Sequence, residues 1–330
     1  MAMAPTSSLE WAVPATALRS RLRLLPTQLI FSVWTLWFAG LCLIHPEGAP
    51  FWPWIPLNLL LLGVLLPLGG RLRASAYLPP RGGVLGYFFL QLFLVLPLVY
   101  EEAGAFRQRL VPALPVEHWL SGLDRGLFGL NWRHRLPPAL GLANDFWQAV
   151  YLLNYLLLFL GLLLAIRPCL RRPSAAETAP GERPPCLHRA EAMVGAMLSA
   201  LMLSYCFFPL LPGITPRLYY PQLHQPADGW LHNLNWWLLG RFSIPYGIFP
   251  SAHVAGPIAL GCALSARREM WGGLFLLGGG LIAVATVMGD YHFIVDALGG
   301  VLVGIAAWAL VEWQLRLPQI AAPDAGMRWQ

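Results

Sequence analysis

The sequence predicts an all-α protein, a polytopic bundle of transmembrane helices. Three observations carry this. Hydrophobic residues make up 57% of the 330 residues and charged residues 12%, against about a quarter charged in an ordinary soluble domain. The polar side chains are therefore too few to cover a water-soluble globule of this length. The apolar residues also gather in blocks close to the roughly 20 residues a helix needs to cross hydrocarbon.

About eight such segments can be read, at 27–46, 53–69, 84–101, 146–166, 190–211, 252–266, 271–289 and 292–314. The first follows Arg19, Arg21 and Arg23. It reads as a retained signal-anchor helix, because its apolar stretch is longer than a cleavable leader's and no clean small-residue cleavage site follows. The blocks at 53–69 and 252–266 are short, so one of them can be re-entrant or partly buried. Arg71, Arg73 and Arg81 lie between the second and third blocks. Arg167, Arg171, Arg172, Arg183 and Arg189 lie between the fourth and fifth, and Arg267 and Arg268 between the sixth and seventh. Basic residues collect in cytoplasmic loops, so eight spans put these loops and both termini on the cytoplasmic side. The other face receives two long connections. One, 102–145, is flanked by Glu101 and contains Glu102, Glu117, Asp124 and Arg125. The other, 212–251, is rich in Pro, Tyr and Trp, and its Trp230, Trp236 and Trp237 suit a headgroup-level belt or a lid. The Pro- and Ala-rich stretch 167–189 reads as a flexible linker. The division expected is a two-helix membrane extension (1–83), a six-helix core (84–317) and a cytoplasmic tail (318–330).

The net charge is +6, and every basic residue other than histidine is Arg, with no Lys. These arginines fall at alternate ends of the apolar blocks rather than in a patch interleaved with aromatics, so they report topology and not nucleic-acid binding. The five cysteines form no CxxC pair and no Cys/His group at zinc spacing. Neither a disulfide nor a metal site is expected from them. An all-Arg composition rich in Ala, Pro and Leu suggests a GC-rich genome and a bacterial inner membrane.

Two short segments carry chemistry. Phe249-Pro250-Ser251-Ala252-His253 opens the sixth block, and Tyr291-His292-Phe293-Ile294-Val295-Asp296 opens the eighth. His292 and Asp296 are four apart at a helix start and share a face. The carboxylate can hold one imidazole nitrogen and leave the other free, as a nucleophile towards phosphorus requires. An acid inside an apolar helix normally has such a partner. In the other segment the Ser251 hydroxyl and the first amides of the helix can hold phosphate oxygens. His253 is then placed to protonate a departing alkoxide. A single interfacial histidine is usually a boundary residue, and a His/Asp pair alone can be a structural clamp. Their combination with a Pro-Ser-x-His turn on the same predicted face favours a catalytic site.

These motifs resemble those of the type-2 phosphatidic acid phosphatase superfamily. FPSAH is similar to its second signature, usually Pro-Ser-Gly-His, and YHFIVDALGG to its third, whose core is His-x-x-x-Asp before a small-residue helix. Leu123-Asp124-Arg125-Gly126-Leu127-Phe128-Gly129 and Phe208-Pro209…Pro216-Arg217 resemble the branch containing inositol phosphorylceramide synthases and related bacterial membrane proteins. The resemblance covers roughly 84–314. It implies a helical fold with a metal-free, cofactor-free site acting on a lipid phosphate or phospholipid. His292 would form a phosphohistidine, oriented by Asp296, and His253 would protonate the leaving group and then activate the acceptor. Arg217 would clamp a phosphate oxygen, with Arg241 and Arg125 as lesser candidates. Two departures stand out. The family usually has Arg six residues before the nucleophilic histidine, where this chain has Thr286, and Asp290 adds negative charge beside the site. Either other arginines compensate, or the substrate is less charged, as a phosphodiester is. The same residues serve a lipid phosphatase and a headgroup transferase. A proton-relaying transporter and a catalytically silent membrane scaffold are the non-enzymatic alternatives.

Overall fold

A computed structural model describes residues 24–44, 49–74, 81–110, 116–129, 142–170, 185–220, 229–244 and 246–320. The arginines before the first block, most of the linker 167–189 and the tail beyond Ile320 lie outside the described residues. Among the described residues every long element is helical and there is no strand.

The helices are α1 (Pro26–Ile44), α2 (Trp54–Ala74), α3 (Arg81–Leu90), α4 (Leu96–Leu110), α5 (Val116–Phe128), α6 (Leu142–Leu170), α7 (Pro185–Phe207), α8 (Pro216–Tyr219), α9 (Trp230–Phe242), α10 (Ala252–Ala266), α11 (Trp271–Met288) and α12 (Ile294–Ile320). A π-helical turn, Gln91–Val95, joins α3 to α4. Among the described residues seven stretches are long and apolar enough to cross a bilayer: Pro26–Ile44, Trp54–Leu72, Gly82–Gly104, Ala143–Leu170, Cys186–Phe207, Trp271–Met288 and Ile294–Arg316. The chain is an integral membrane protein.

The sixth block, α10, is different. Its 15 residues rise about 22 Å at 1.5 Å each, short of the roughly 30 Å hydrocarbon core. Its Ala, Gly, Val, Leu and Ile residues are buried almost all round, and α7, α11 and α12 pack against it. A helix apolar on every side belongs inside a bundle. Close packing needs small residues: a Cβ at Gly300 would lie 2.4 Å from the Ser251 carbonyl oxygen, and one at Gly304 would lie 2.7 Å from that of Ala255. This small-xxx-small face lets α12 approach the α10 backbone.

The first two helices join the rest through buried polar contacts. Glu102, fully buried in α4, accepts hydrogen bonds from Trp34 Nε1 of α1 at 2.5 Å and Asn58 Nδ2 of α2 at 2.8 Å. The sequence placed Glu102 in an extramembrane connection; the helix instead continues past it to Leu110. Gln28 of α1 donates to the Leu65 carbonyl of α2 at 2.6 Å, and α1 also packs on α7. At the far end of the bundle from His253 and His292, Arg189 pairs with Glu269 and Arg267 with Glu312, each at 2.6 Å.

Candidate active site

The starts of α10 and α12 lie side by side. The Ser251 N–H donates to the Asp296 carbonyl at 3.0 Å, which ties the Pro-Ser-x-His turn to the second histidine segment. The His253 and His292 rings stand 5.7 Å apart, edge to face. His292 Nδ1 is 3.5 Å from Asp296 Oδ2, an ion-pair separation too long for a formed hydrogen bond. In sites without substrate such contacts are often loose and tighten on binding.

The turn that delivers His292 is built by the main chain. The Thr286 carbonyl accepts from the N–H groups of both Tyr291 and His292, at 2.9 and 3.0 Å. Asp290 takes a left-handed conformation with φ 60°, which Asp and Asn tolerate better than most residues. Its carbonyl accepts from the Arg217 N–H at 3.2 Å. Asp290 thus shapes the backbone here, and Thr286 is fully buried, its hydroxyl donating to the Ala283 carbonyl.

The two helix starts differ in how their amides are satisfied. At α12, Asp296 Oδ2 accepts from the Phe293 N–H at 2.9 Å, one half of a capping box. Asp124 of α5 accepts from Ile294 and Val295 N–H at 2.9 and 3.0 Å. Two carboxylates therefore close the start of α12. At α10 the N-cap Ser251 makes no side-chain capping bond, and its fully buried Oγ has no partner. The first amides of a helix find no acceptor within it, so α10 is the start suited to an external anion.

Asp124 appeared in the sequence among the charges of the 102–145 connection and in a weaker resemblance, with no role. Its capping function spans 170 residues of sequence. Asp124→Ala is expected to destabilise the protein by about 2 kcal/mol, read as a lowered unfolding midpoint in detergent, with Asp124→Asn recovering part of the loss. An unchanged midpoint for Asp124→Ala would show that the cap contributes nothing.

Arg217, on α8, brings its guanidinium over the rings of Trp236 (4.9 Å) and Tyr291 (5.5 Å). Its Nε and Nη1 are buried without a hydrogen-bond partner. Burial lowers its pKa, partly offset by Tyr291 and Tyr151. Burial also holds the His292 imidazole down to about 3, against a raising hydrogen bond to the Ile248 backbone and with a further lowering from Arg217. His292 is thus neutral near pH 7, the form with a lone pair to offer. Arg241 lies exposed in the last turn of α9 and is not brought into this cluster. Arg125 is exposed on α5, donating to the Ser121 carbonyl at 3.4 Å.

Several neighbours were not singled out from the sequence. His253 Nε2 bonds the Tyr151 hydroxyl at 3.1 Å, and Tyr155 meets the same ring edge-on at 6.1 Å. Tyr291 stacks on Tyr151 with centroids 4.2 Å apart and donates to Gln148 Oε1 at 2.5 Å. Asn144, Gln148, Tyr151 and Tyr155 follow one another at i, i+4, i+7 and i+11 along α6. That polar stripe on an otherwise apolar span was the available signal. Among the described residues no three His, Cys, Asp or Glu side chains are grouped to hold a metal ion.

A family model described as the PAP2 superfamily matches residues 186–310. That stretch contains both histidine segments, Arg217, α10 and α11; α1 to α6 lie outside it. No curated protein and no solved structure gave a significant match.

Proposed function

We propose that this membrane protein cleaves a lipid phosphate ester through a covalent phosphohistidine on His292. The observation that carries the reading is the convergence of two histidines, 5.7 Å apart, on a buried hydroxyl and a buried guanidinium whose donors lack partners. Unsatisfied buried donors are rare in folded proteins. The Arg217 charge is felt at His292 and Ser251 lies two residues from His253, so phosphoryl oxygens bound beside the histidines would satisfy them. The similarity to the PAP2 superfamily supports the same class of chemistry.

The ring nitrogen of His292 turned away from Asp296 gives up its hydrogen bond to the Ile248 backbone, with the ring proton carried on the Asp296 side, and attacks phosphorus as the bond from phosphorus to the lipid oxygen breaks. His253, protonated when the negative charge of the phosphate binds beside it, gives that proton to the oxygen, so the alcohol leaves neutral. Asp296 stabilises the positive charge that His292 gains. Ser251, the α10 amides and Arg217 hold the equatorial oxygens where charge spreads. In the second half His253, now a base, takes a proton from water or an alcohol, whose oxygen displaces His292 from phosphorus. Arg217 stands in for the arginine that the family carries at the place of Thr286. The route calls on no metal.

The test is product analysis of the purified protein with EDTA present, given phosphatidic acid and a panel of phospholipids. Release of phosphate or formation of a new phosphodiester is expected. Ser251→Ala is expected to lower the rate by about 10²-fold with little change in stability, because the lost hydroxyl has no protein partner. A Ser251→Ala protein as active as the wild type would remove Ser251 from the phosphate site.

The orientation follows from the arginines. The histidines lie at the end of the bundle away from Arg189 and Arg267, which the positive-inside rule puts in the cytoplasm. The site then opens to the non-cytoplasmic face. Trp230→Cys, exposed on α9, is expected to react with a membrane-impermeant maleimide in sealed cells, above the wild-type background. Labelling only after lysis would reverse the topology.

A further inference from the structure

Between α6 and α9, beside the histidines, is a chain of buried carboxamides that the chemistry above does not use. Asn144 and Gln148 on α6 and Asn235 on α9 are 6%, 1% and 1% exposed. Gln148 Nε2 donates to Asn144 Oδ1 at 3.2 Å. Asn235 Nδ2 donates to Gln148 Oε1 at 2.6 Å, as does the Tyr291 hydroxyl. Two amide atoms remain buried without a partner, the donor Asn144 Nδ2 and the acceptor Asn235 Oδ1. Reversing every amide exchanges which residue carries which, yet still leaves one donor and one acceptor.

We infer that this cluster is a recognition site for a neutral polyhydroxyl group next to the reacting phosphate, an inference that rests on the phosphate site proposed above. A hydroxyl both donates and accepts, so adjacent hydroxyls satisfy a leftover donor and a leftover acceptor together. A second anion would meet only the donor and would face the Asp145 carboxylate, whose buried Oδ1 has no partner. A quaternary ammonium would meet only the acceptor and would be repelled by Arg217. Both charges are felt at this place: His232 on α9, lowered chiefly by burial, is lowered further by Arg217 and raised by Asp145. Tyr291 links the two sites physically: its hydroxyl is bonded to Gln148 and its ring lies under the Arg217 guanidinium. A polyol held here would adjoin the phosphorus, either as the headgroup of the donor lipid or as the alcohol that accepts the phosphoryl group.

Equilibrium binding to the full-length protein in detergent tests this, with glycerophosphoglycerol, glycerophosphocholine, and glycerol or a hexitol alone. Glycerophosphoglycerol is expected to bind about tenfold or more tighter than glycerophosphocholine, and Asn144→Leu and Asn235→Leu each to erase that preference. Saturable binding of the free polyol identifies an acceptor site, and binding of the diester alone identifies a donor headgroup site; either supports the assignment. Equal binding of the two diesters by the wild type, which needs no variant to fold, overturns it, as does a preference that survives in folded Asn144→Leu and Asn235→Leu. The phosphohistidine reading fails separately: a His292→Ala protein that binds glycerophosphoglycerol like the wild type, beside a wild type that turns over no lipid, leaves the polyol site standing and removes the chemistry.

Discussion

His292→Ala is expected to abolish turnover, by a factor on the order of 10⁶ in kcat, while the protein still folds and still binds substrate. Removing a covalent nucleophile eliminates the route rather than slowing it, so the residue left behind has no weaker version of the same step. The fold should tolerate the change because the main chain, and not the imidazole, holds this turn: the His292 N–H goes to Thr286 and the neighbouring Phe293 N–H to Asp296. The measurement is product formation from the best substrate of the panel, beside the unfolding midpoint of the same preparation. A His292→Ala enzyme retaining more than about a hundredth of wild-type activity would be incompatible with a nucleophilic role. Acid-labile, base-stable label on the wild type after a quench with ³²P-labelled substrate, absent from the variant, would identify the phosphoramidate itself.

Asp296→Asn is expected to cost about 10⁴-fold in kcat, by analogy with loss of the carboxylate that orients a catalytic imidazole, with a small effect on stability. Asp296 has two tasks that this substitution separates. Its Oδ2 accepts from the Phe293 N–H, a task an amide oxygen performs as well. It also stands 3.5 Å from His292 Nδ1, where only a carboxylate can balance the charge that the ring gains on phosphorylation. A structural role alone predicts the opposite pattern, loss of stability with Asp296→Ala and near-normal rates with Asp296→Asn. Near-normal kcat for Asp296→Asn would thus reduce Asp296 to a helix cap.

The helical class and most span positions were legible because hydrocarbon imposes a length and an apolarity that a single chain displays locally. The two histidine segments were legible for a similar reason: Ser251 with His253, and His292 with Asp296, are close in sequence, so their shared faces follow from helix geometry. What was hidden depends on distant pairing. The Asp124 cap on α12, the Tyr151 bond to His253 and the Gln148 bond to Asn235 span 170, 102 and 87 residues. Asn144 and Gln148 were passed over because a few amides barely lower the apolarity of a long block. Arg217 and Arg241 are both arginines in an aromatic loop, and only the family resemblance ranked Arg217 above Arg241. Burial separates them: one guanidinium lies between two rings beside His292, and the other is exposed.

The Glu102 clamp bears on how the chain is made. Its donors Trp34 and Asn58 lie 68 and 44 residues earlier, so they are synthesised and delivered to the bilayer before the carboxylate arrives. An acid in hydrocarbon costs several kcal/mol when unpartnered, which would penalise insertion of the segment bearing Glu102 in isolation. The first two helices therefore act as an intramolecular docking platform during biogenesis, receiving the third span as it leaves the translocon. A chain shortened to begin after α2 would present the insertion machinery with a buried acid and no helix to supply its donors, and membrane quality control would meet it before any enzymology could.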